Sequence, residues 1–186
     1  MKNQIKLILN QTPLVRSVWK SLFLKKNINN FTKLAKNQPP VFIYQMGKVA
    51  SKSTYQSIKD QYSGVCLHAH SFTRNHDNIY VKTLFEILQR EKLQIKIISM
   101  VREPISRNIS AFFQNFERDT GIKYKDNKYS TEELKDIFLR KYNHEIPIVW
   151  FDNNIKENFG IDIYKSPFPE KGYDNFKNDN VELLLF

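Results

Sequence analysis

The chain is short of cysteine, of glycine and of long apolar runs, and each shortage excludes a class of protein. Its single cysteine, Cys66, cannot form an internal disulfide and cannot supply a four-cysteine zinc site. Five glycines and seven prolines in 186 residues exclude collagen-like and low-complexity chains. No apolar run approaches about 18 residues, so no membrane-spanning helix is expected. With no signal-peptide pattern either, the sequence predicts a reducing, cytoplasmic location.

Acidic residues are scarce relative to basic ones. The chain has 29 Lys and Arg against 19 Asp and Glu, a formal net charge of +10. This surplus favours an anionic partner such as a nucleotide, a nucleic acid, an acidic glycan or a lipid surface. Nucleic acid ranks last, because the sequence has neither a helix-turn-helix signature nor an aromatic-rich sheet motif. Hydrophobic residues make up 41% of the chain, which is enough for the core of one globular domain.

Residues 1–38 are predicted to form a basic helical arm that ends at Pro39-Pro40. Apolar residues recur there at helical spacing, with basic residues between them. These apolar residues are Leu14, Val15, Val18, Leu22 and Phe23. Two interpretations stay open: the helix packs on the following domain, or it lies on an anionic membrane as a basic amphipathic helix, peripheral to the inner membrane.

Residues 39–186 alternate strands with helices and are predicted to form one α/β domain. Nearly all-apolar strands followed by helices predict a parallel sheet covered on both faces. Strands are expected at 41–44, 65–68, 95–101 and 181–186, and helices at 54–61, 79–92, 104–118, 131–142 and 147–158. The buried stripe of the helix at 104–118 is expected to be Ile105, Ile109, Phe112, Phe113 and Phe116. Because the chain stops on an apolar run, we expect it to be truncated at its C-terminus.

The turn after the first strand, residues 45–54, has the composition of a phosphate-binding loop. A strand that turns on small residues into a helix exposes backbone N–H groups and the positive end of the helix, which together bind phosphate. The loop adds basic and hydroxyl side chains from Lys48, Ser51, Lys52, Ser53 and Thr54. The NTPase pattern G-x-x-x-x-G-K-[ST] fits poorly, because Met46 and Ser51 stand where its glycines belong.

Polar residues also follow the other two strands. Arg102 lies at the end of the third strand, and Ser106 and Ser110 share one face of the next helix; a guanidinium with nearby hydroxyls suits a second phosphate. His68 and His70 follow the second strand and share one side of an extended segment. They could hold a metal, but no carboxylate or thiol ligand is evident nearby. A neutral histidine beside a phosphate site is better suited to act as a general base.

Taken together, these segments resemble sulfotransferases that use 3′-phosphoadenosine-5′-phosphosulfate (PAPS). The matching motifs are YQMGKVAS at 44–51, HAH at 68–70 and VREPISRNISAFF at 101–113. The resemblance is closest to the bacterial capsular polysaccharide synthesis branch and covers about residues 40–186. It extends to WFD at 150–152, FGIDIY at 159–164, PF at 167–168 and KGY at 171–173. The resemblance implies a P-loop-like, three-layer α/β/α fold.

The resemblance also implies a reaction, the transfer of a sulfuryl group from PAPS to a hydroxyl of a glycan or capsular polysaccharide-type acceptor, with no metal required. In this chain the 5′-phosphosulfate would be held by Gly47, Lys48, Ala50, Ser51, Lys52 and Ser53. Arg102 and Ser110 would hold the 3′-phosphate. Lys48 would neutralise the departing phosphate, and His70 or His68 would be the base. The alternative is a non-catalytic nucleotide-binding module of polysaccharide biosynthesis.

Overall fold

The computed structural model describes the backbone of residues 13–186 and the side chains of residues 17–186. The first twelve residues of the predicted arm lie outside this part, as do the side chains of Leu14 and Val15. Among residues 13–186, no helix has the length and apolarity that a membrane crossing requires.

A five-stranded, mostly parallel sheet forms the centre of the domain. Its strands are β1 (Val41–Tyr44), β2 (Cys66–Ala69), β3 (Ile95–Ser99), β4 (Asp174–Lys177) and β5 (Val181–Leu185), in the spatial order β2-β1-β3-β5-β4. β1 pairs in parallel with both β2 and β3, and β3 pairs in parallel with β5. The predicted parallel sheet is therefore confirmed for these four strands. β4 is antiparallel to β5 at the edge, because only residues 178–180 connect the two strands, too few for a parallel crossover.

Helices follow the strands in the predicted rhythm. They are α1 (Pro13–Asn37), α2 (Ser51–Lys59), α3 (Ile79–Arg90), α4 (Pro104–Gln114), α5 (Phe116–Thr120), α6 (Thr131–Lys141), α7 (Ile146–Phe151) and α8 (Glu157–Phe159). A π-helical segment, Asp152–Lys156, joins α7 to α8, and short 3₁₀ turns lie at Tyr124–Asp126 and Ile163–Lys165. The helix predicted over 104–118 is divided at Asn115, whose backbone leaves helical geometry.

The central strand β1 is buried on both of its faces. On one face, Tyr44 packs against the rings of Phe72, Trp150 and Phe159, with centroids 5.1 to 6.0 Å apart. Neighbouring residues of a strand point to opposite faces, so Ile43 faces the other side, and it is fully buried as well. Cover on both faces is what the continuous apolar run of β1 predicts.

The buried stripe expected for the helix at 104–118 is wrong for three of its five residues. Phe112 and Phe116 are buried, but the other three are exposed by 42 to 65%. The exposed residues are Ile105, Ile109 and Phe113. The buried face of α4 instead includes Arg107 and Asn108, because Arg107 reaches under the loop that follows β1 and hydrogen-bonds the carbonyl of Gly47. The hydrogen bond of Arg107 thus sets the rotation of this helix.

Of the side chains of α1 that the structure describes, residues 17–37, those buried against the domain lie in the C-terminal half. Phe31 and Ala35 belong to the main hydrophobic core, and the ring of Phe31 lies 5.2 Å from that of Tyr80. Lys36 forms an ion pair with Glu91 at the end of α3. The first of the two interpretations of the arm, a helix packed on the domain, therefore holds for this half of the helix.

Candidate functional site

The residues between β1 and α2, positions 45–50, form the centre of the candidate site, and we call them the Gly47 loop. Within residues 13–186, the non-glycine residues with positive φ are Lys48 (77°) and Ala50 (62°). Such backbone costs energy for residues with a Cβ, and it is found preferentially at functional sites. Ala50 is the N-cap of α2, and no side chain caps this helix. The first N–H groups of α2 are therefore left for another acceptor.

Two arginines hold the carbonyl groups of the Gly47 loop. Nη1 of Arg102 donates to the Lys48 carbonyl at 3.2 Å, and Nε of Arg107 donates to the Gly47 carbonyl at 3.1 Å. Arg102 follows β3 and is exposed, so its remaining donors face solvent. Glu103, its neighbour in sequence, accepts hydrogen bonds from the backbone N–H groups of Ser106 and Ile105 instead. These two bonds lower the pKa of the Glu103 carboxyl.

Arg107 is a buried cation that has no carboxylate partner among the described residues. Only 6% of it is exposed, and its other hydrogen bonds go to the side chains of Asn108 (2.9 Å) and Tyr142 (3.1 Å). A buried charge without a counterion is costly, and its field is weakly screened. This positive charge lies directly behind the Gly47 loop, where it favours an anion on the loop. Helical periodicity gave no signal for Arg107, because it placed Ile105 and Ile109 on the inner face of this helix.

Gln45 connects the ends of three strands. Its side chain is fully buried, and its Oε1 accepts a hydrogen bond from the backbone N–H of Met100, just after β3. Its main-chain carbonyl accepts a hydrogen bond from Nδ1 of His70, just after β2. Gln45 was not among the candidate residues predicted from the sequence, although a polar residue directly after an apolar strand is a recognisable signal.

His70 is placed to act as a base beside the Gly47 loop. A carbonyl can only accept a hydrogen bond, so Nδ1 of neutral His70 carries the proton and Nε2 keeps its lone pair. His70 lines a cavity of about 470 Å³ with Gln114 and with residues of the loop and α2. The latter are Lys48, Ala50, Ser51, Lys52 and Ser53.

His68 has a different environment. Its ring lies 4.8 Å from that of His70, and its Nε2 is buried with no hydrogen-bond partner. Burial lowers the pKa of His68, and the neighbouring charges of His70 and Lys52 lower it further. Across residues 17–186, no group of three His, Cys, Asp or Glu side chains lies close enough to hold a metal ion.

We predict that His68 makes the fold sensitive to acid. Because its pKa is lowered in the folded state, the unfolded chain takes up the proton first as the pH falls through about 6.5. Stability should therefore decrease on acidification in the wild type and decrease less in His68→Gln. Urea unfolding midpoints measured at neutral pH and at about pH 5.5 test this. An equally steep decrease in the variant would contradict it.

Two further cavities continue the site along the carboxyl edge of the sheet. One, of about 400 Å³, is lined by Lys48, Ala50 and Arg102 together with the ends of β3 and of the chain. The other, of about 650 Å³, begins at Arg102 and is lined by aromatic side chains that include Tyr164 and Phe168. Shared lining residues connect all three cavities. Ser110 lies on α4 and lines none of the three, so its part in the site stays a prediction.

Comparisons with known proteins give no family for this chain. Searches of family models, of curated proteins and of solved structures return no match.

Proposed function

We propose that this protein is a PAPS-dependent sulfotransferase of P-loop-like α/β/α fold that acts on a hydroxyl of a glycan or capsular polysaccharide-type acceptor. One observation carries the proposal. The Gly47 loop and Arg102 follow the neighbouring parallel strands β1 and β3, and they are hydrogen-bonded to each other. Two cationic positions at adjacent strand ends suit one ligand that has an anionic group at each end.

The charges around the Gly47 loop support the assignment of the phosphosulfate to it. Lys48 and Lys52 line the loop cavity, and the uncapped start of α2 adds backbone donors. The buried charge of Arg107 lies behind the same loop. Arg102 forms no ion pair within the described residues, so its exposed guanidinium is available for the 3′-phosphate. The aromatic-lined cavity beside Arg102 offers apolar surface to the adenine.

The donor supplies an activated sulfuryl group, and the protein's contribution is to position the reactants and stabilise charge. An S–O bond to the acceptor oxygen forms while the S–O bond to the phosphate breaks. Lys48 compensates the negative charge that develops on the departing phosphate. Nε2 of His70 takes the acceptor proton and later releases it to solvent. The hydrogen bond from Nδ1 of His70 to the Gln45 carbonyl keeps the ring in the tautomer this step needs.

Calorimetry with 3′-phosphoadenosine-5′-phosphate, the desulfated donor, tests the assignment of the two anion positions. We expect Arg102→Ala to weaken binding by about ten-fold or more, since a charge-assisted hydrogen bond to a phosphate is lost. Adenosine 5′-phosphate lacks the 3′-phosphate, so Arg102→Ala should weaken its binding far less, only through the lost hydrogen bond to the Lys48 carbonyl. Lys48→Ala should weaken the binding of both nucleotides.

Lys96→Ala is the matched control for charge, because Lys96 is exposed at the opposite end of β3. It should change neither affinity. Equal weakening of both nucleotides by Arg102→Ala would remove the assignment of the 3′-phosphate. Binding of magnesium–ATP as strong as that of the desulfated donor would favour an NTPase instead. Donor binding with no labelled sulfate transferred to a panel of glycans would favour the non-catalytic module.

A further inference from the structure

The N-terminal half of α1 carries an apolar stripe that the domain does not cover. The stripe consists of Val18, Trp19, Leu22 and Phe23, which are 53 to 67% exposed. At about 100° per residue along a helix, these four side chains fall on one face. Among residues 17–37 of this helix they are the largest group of neighbouring exposed apolar side chains, and we call them the arm stripe.

The packing of α1 directs the arm stripe away from the domain. Phe31 and Ala35, further along the same helix, are buried in the main core. With about 3.6 residues per turn, their face lies roughly opposite the arm stripe. Because these two residues fix the rotation of α1 on α3, the arm stripe cannot turn inward without removing them from the core. The stripe is therefore available to a partner outside the domain.

Charge identifies the kind of partner. The first acidic residue in the chain is Asp60, and residues 1–59 contain 11 Lys and Arg. Lys20, Lys25 and Lys26 are exposed beside the arm stripe. A second copy of this helix is a poor partner for the stripe, because its lysines would repel those of the first copy. Residues 1–12 are a poor partner for the same reason, since they contain lysines and no acidic residue. A surface of anionic lipid offers apolar contact to the stripe and negative charge to the lysines.

We propose that the N-terminal half of α1 binds an anionic membrane surface, with the arm stripe in the boundary between headgroups and acyl chains. Lys20, Lys25 and Lys26 contact the lipid phosphates, and Trp19 occupies the interfacial level that indole rings prefer. The helix lies in the plane of the interface and does not cross the bilayer. This proposal is independent of the proposed transfer reaction, because none of these residues belongs to the site around the Gly47 loop.

Sedimentation of the full chain with vesicles tests the proposal. We expect binding to mixed phosphatidylcholine–phosphatidylglycerol vesicles, weak binding to phosphatidylcholine alone, and release as salt is raised. The double variant Leu22→Ser, Phe23→Ser should lose most of the binding. Replacing Lys20, Lys25 and Lys26 by Gln should weaken it by roughly five-fold per lysine. Leu139→Ser is the matched control, since Leu139 is 69% exposed on α6, outside α1, and should leave binding unchanged.

Fluorescence reports the contact at the arm stripe itself. The two tryptophans are Trp19, which is 55% exposed, and Trp150, which is 7% exposed in the core. Mixed vesicles should shift the emission to shorter wavelength in the wild type and not in Trp19→Phe. Three results would overturn the proposal: no preference for the anionic vesicles, a dimer in solution that the double variant dissolves, or Trp19 already shielded from a soluble quencher in the vesicle-free monomer.

Discussion

Replacing His70 with glutamine should slow sulfuryl transfer by about 10²–10⁴-fold, the usual loss when a general base is removed. Glutamine can still donate to the Gln45 carbonyl, the bond that His70 makes at 2.8 Å. It has no lone pair basic enough to accept the acceptor's proton. Affinity for the desulfated donor should stay unchanged, because His70 holds no phosphate in the proposed mechanism. Single-turnover transfer of labelled sulfate at saturating PAPS measures the rate.

His68→Gln provides the matched control for this prediction. The two histidines are in contact, but only His70 lines the cavity of the Gly47 loop. His68→Gln should therefore slow transfer far less than His70→Gln does. Equal losses in the two variants, or a loss of donor affinity in His70→Gln, would contradict the assignment of His70 as the base.

The strand positions could be predicted because they depend on local composition. The apolar run at 41–44 is buried on both faces in the sheet, whereas the run at 95–99 is fully buried on one face only and exposes Lys96 on the other. The start of α4 was also predictable, since Pro104 fits the first turn and Glu103 caps it. Because carboxyl ends of parallel strands share one edge, the sequence also predicted that the Gly47 loop and Arg102 would meet there. The hydrogen bond between Arg102 and the Lys48 carbonyl has this geometry.

The rotation of the helices could not be predicted in the same way. Helical periodicity finds the apolar residues of α4, but it does not show that Arg107 takes a buried position while Ile105 remains exposed. The rotation of α4 is decided by a long-range hydrogen bond from Arg107 to the carbonyl of Gly47, sixty residues away in sequence. Gln45 was missed for the same reason, since its partners Met100 and His70 are distant in sequence.

Arg107 links stability to anion binding, so Arg107→Gln should lower both. The variant loses the hydrogen bond to the Gly47 carbonyl. It also removes the guanidinium N–H that donates to Oδ1 of the buried Asn108. Leaving a buried polar group unsatisfied costs about 1–3 kcal/mol, so the free energy of unfolding should decrease by about that amount. Loss of the buried charge should weaken binding of 3′-phosphoadenosine-5′-phosphate by about ten-fold. Urea unfolding and calorimetry measure the two effects.

Two further variants separate the role of the charge from that of the geometry. Arg107→Lys keeps the charge but loses the planar fork that reaches Gly47, Asn108 and Tyr142 together, so it should lose stability and retain most of the affinity. Arg118→Gln removes an exposed arginine that pairs with Asp119, and it should change stability by less than about 1 kcal/mol. If Arg107→Gln unfolds more easily and yet binds the nucleotide as well as the wild type does, Arg107 only supports the fold, and its field does not contribute to the anion site.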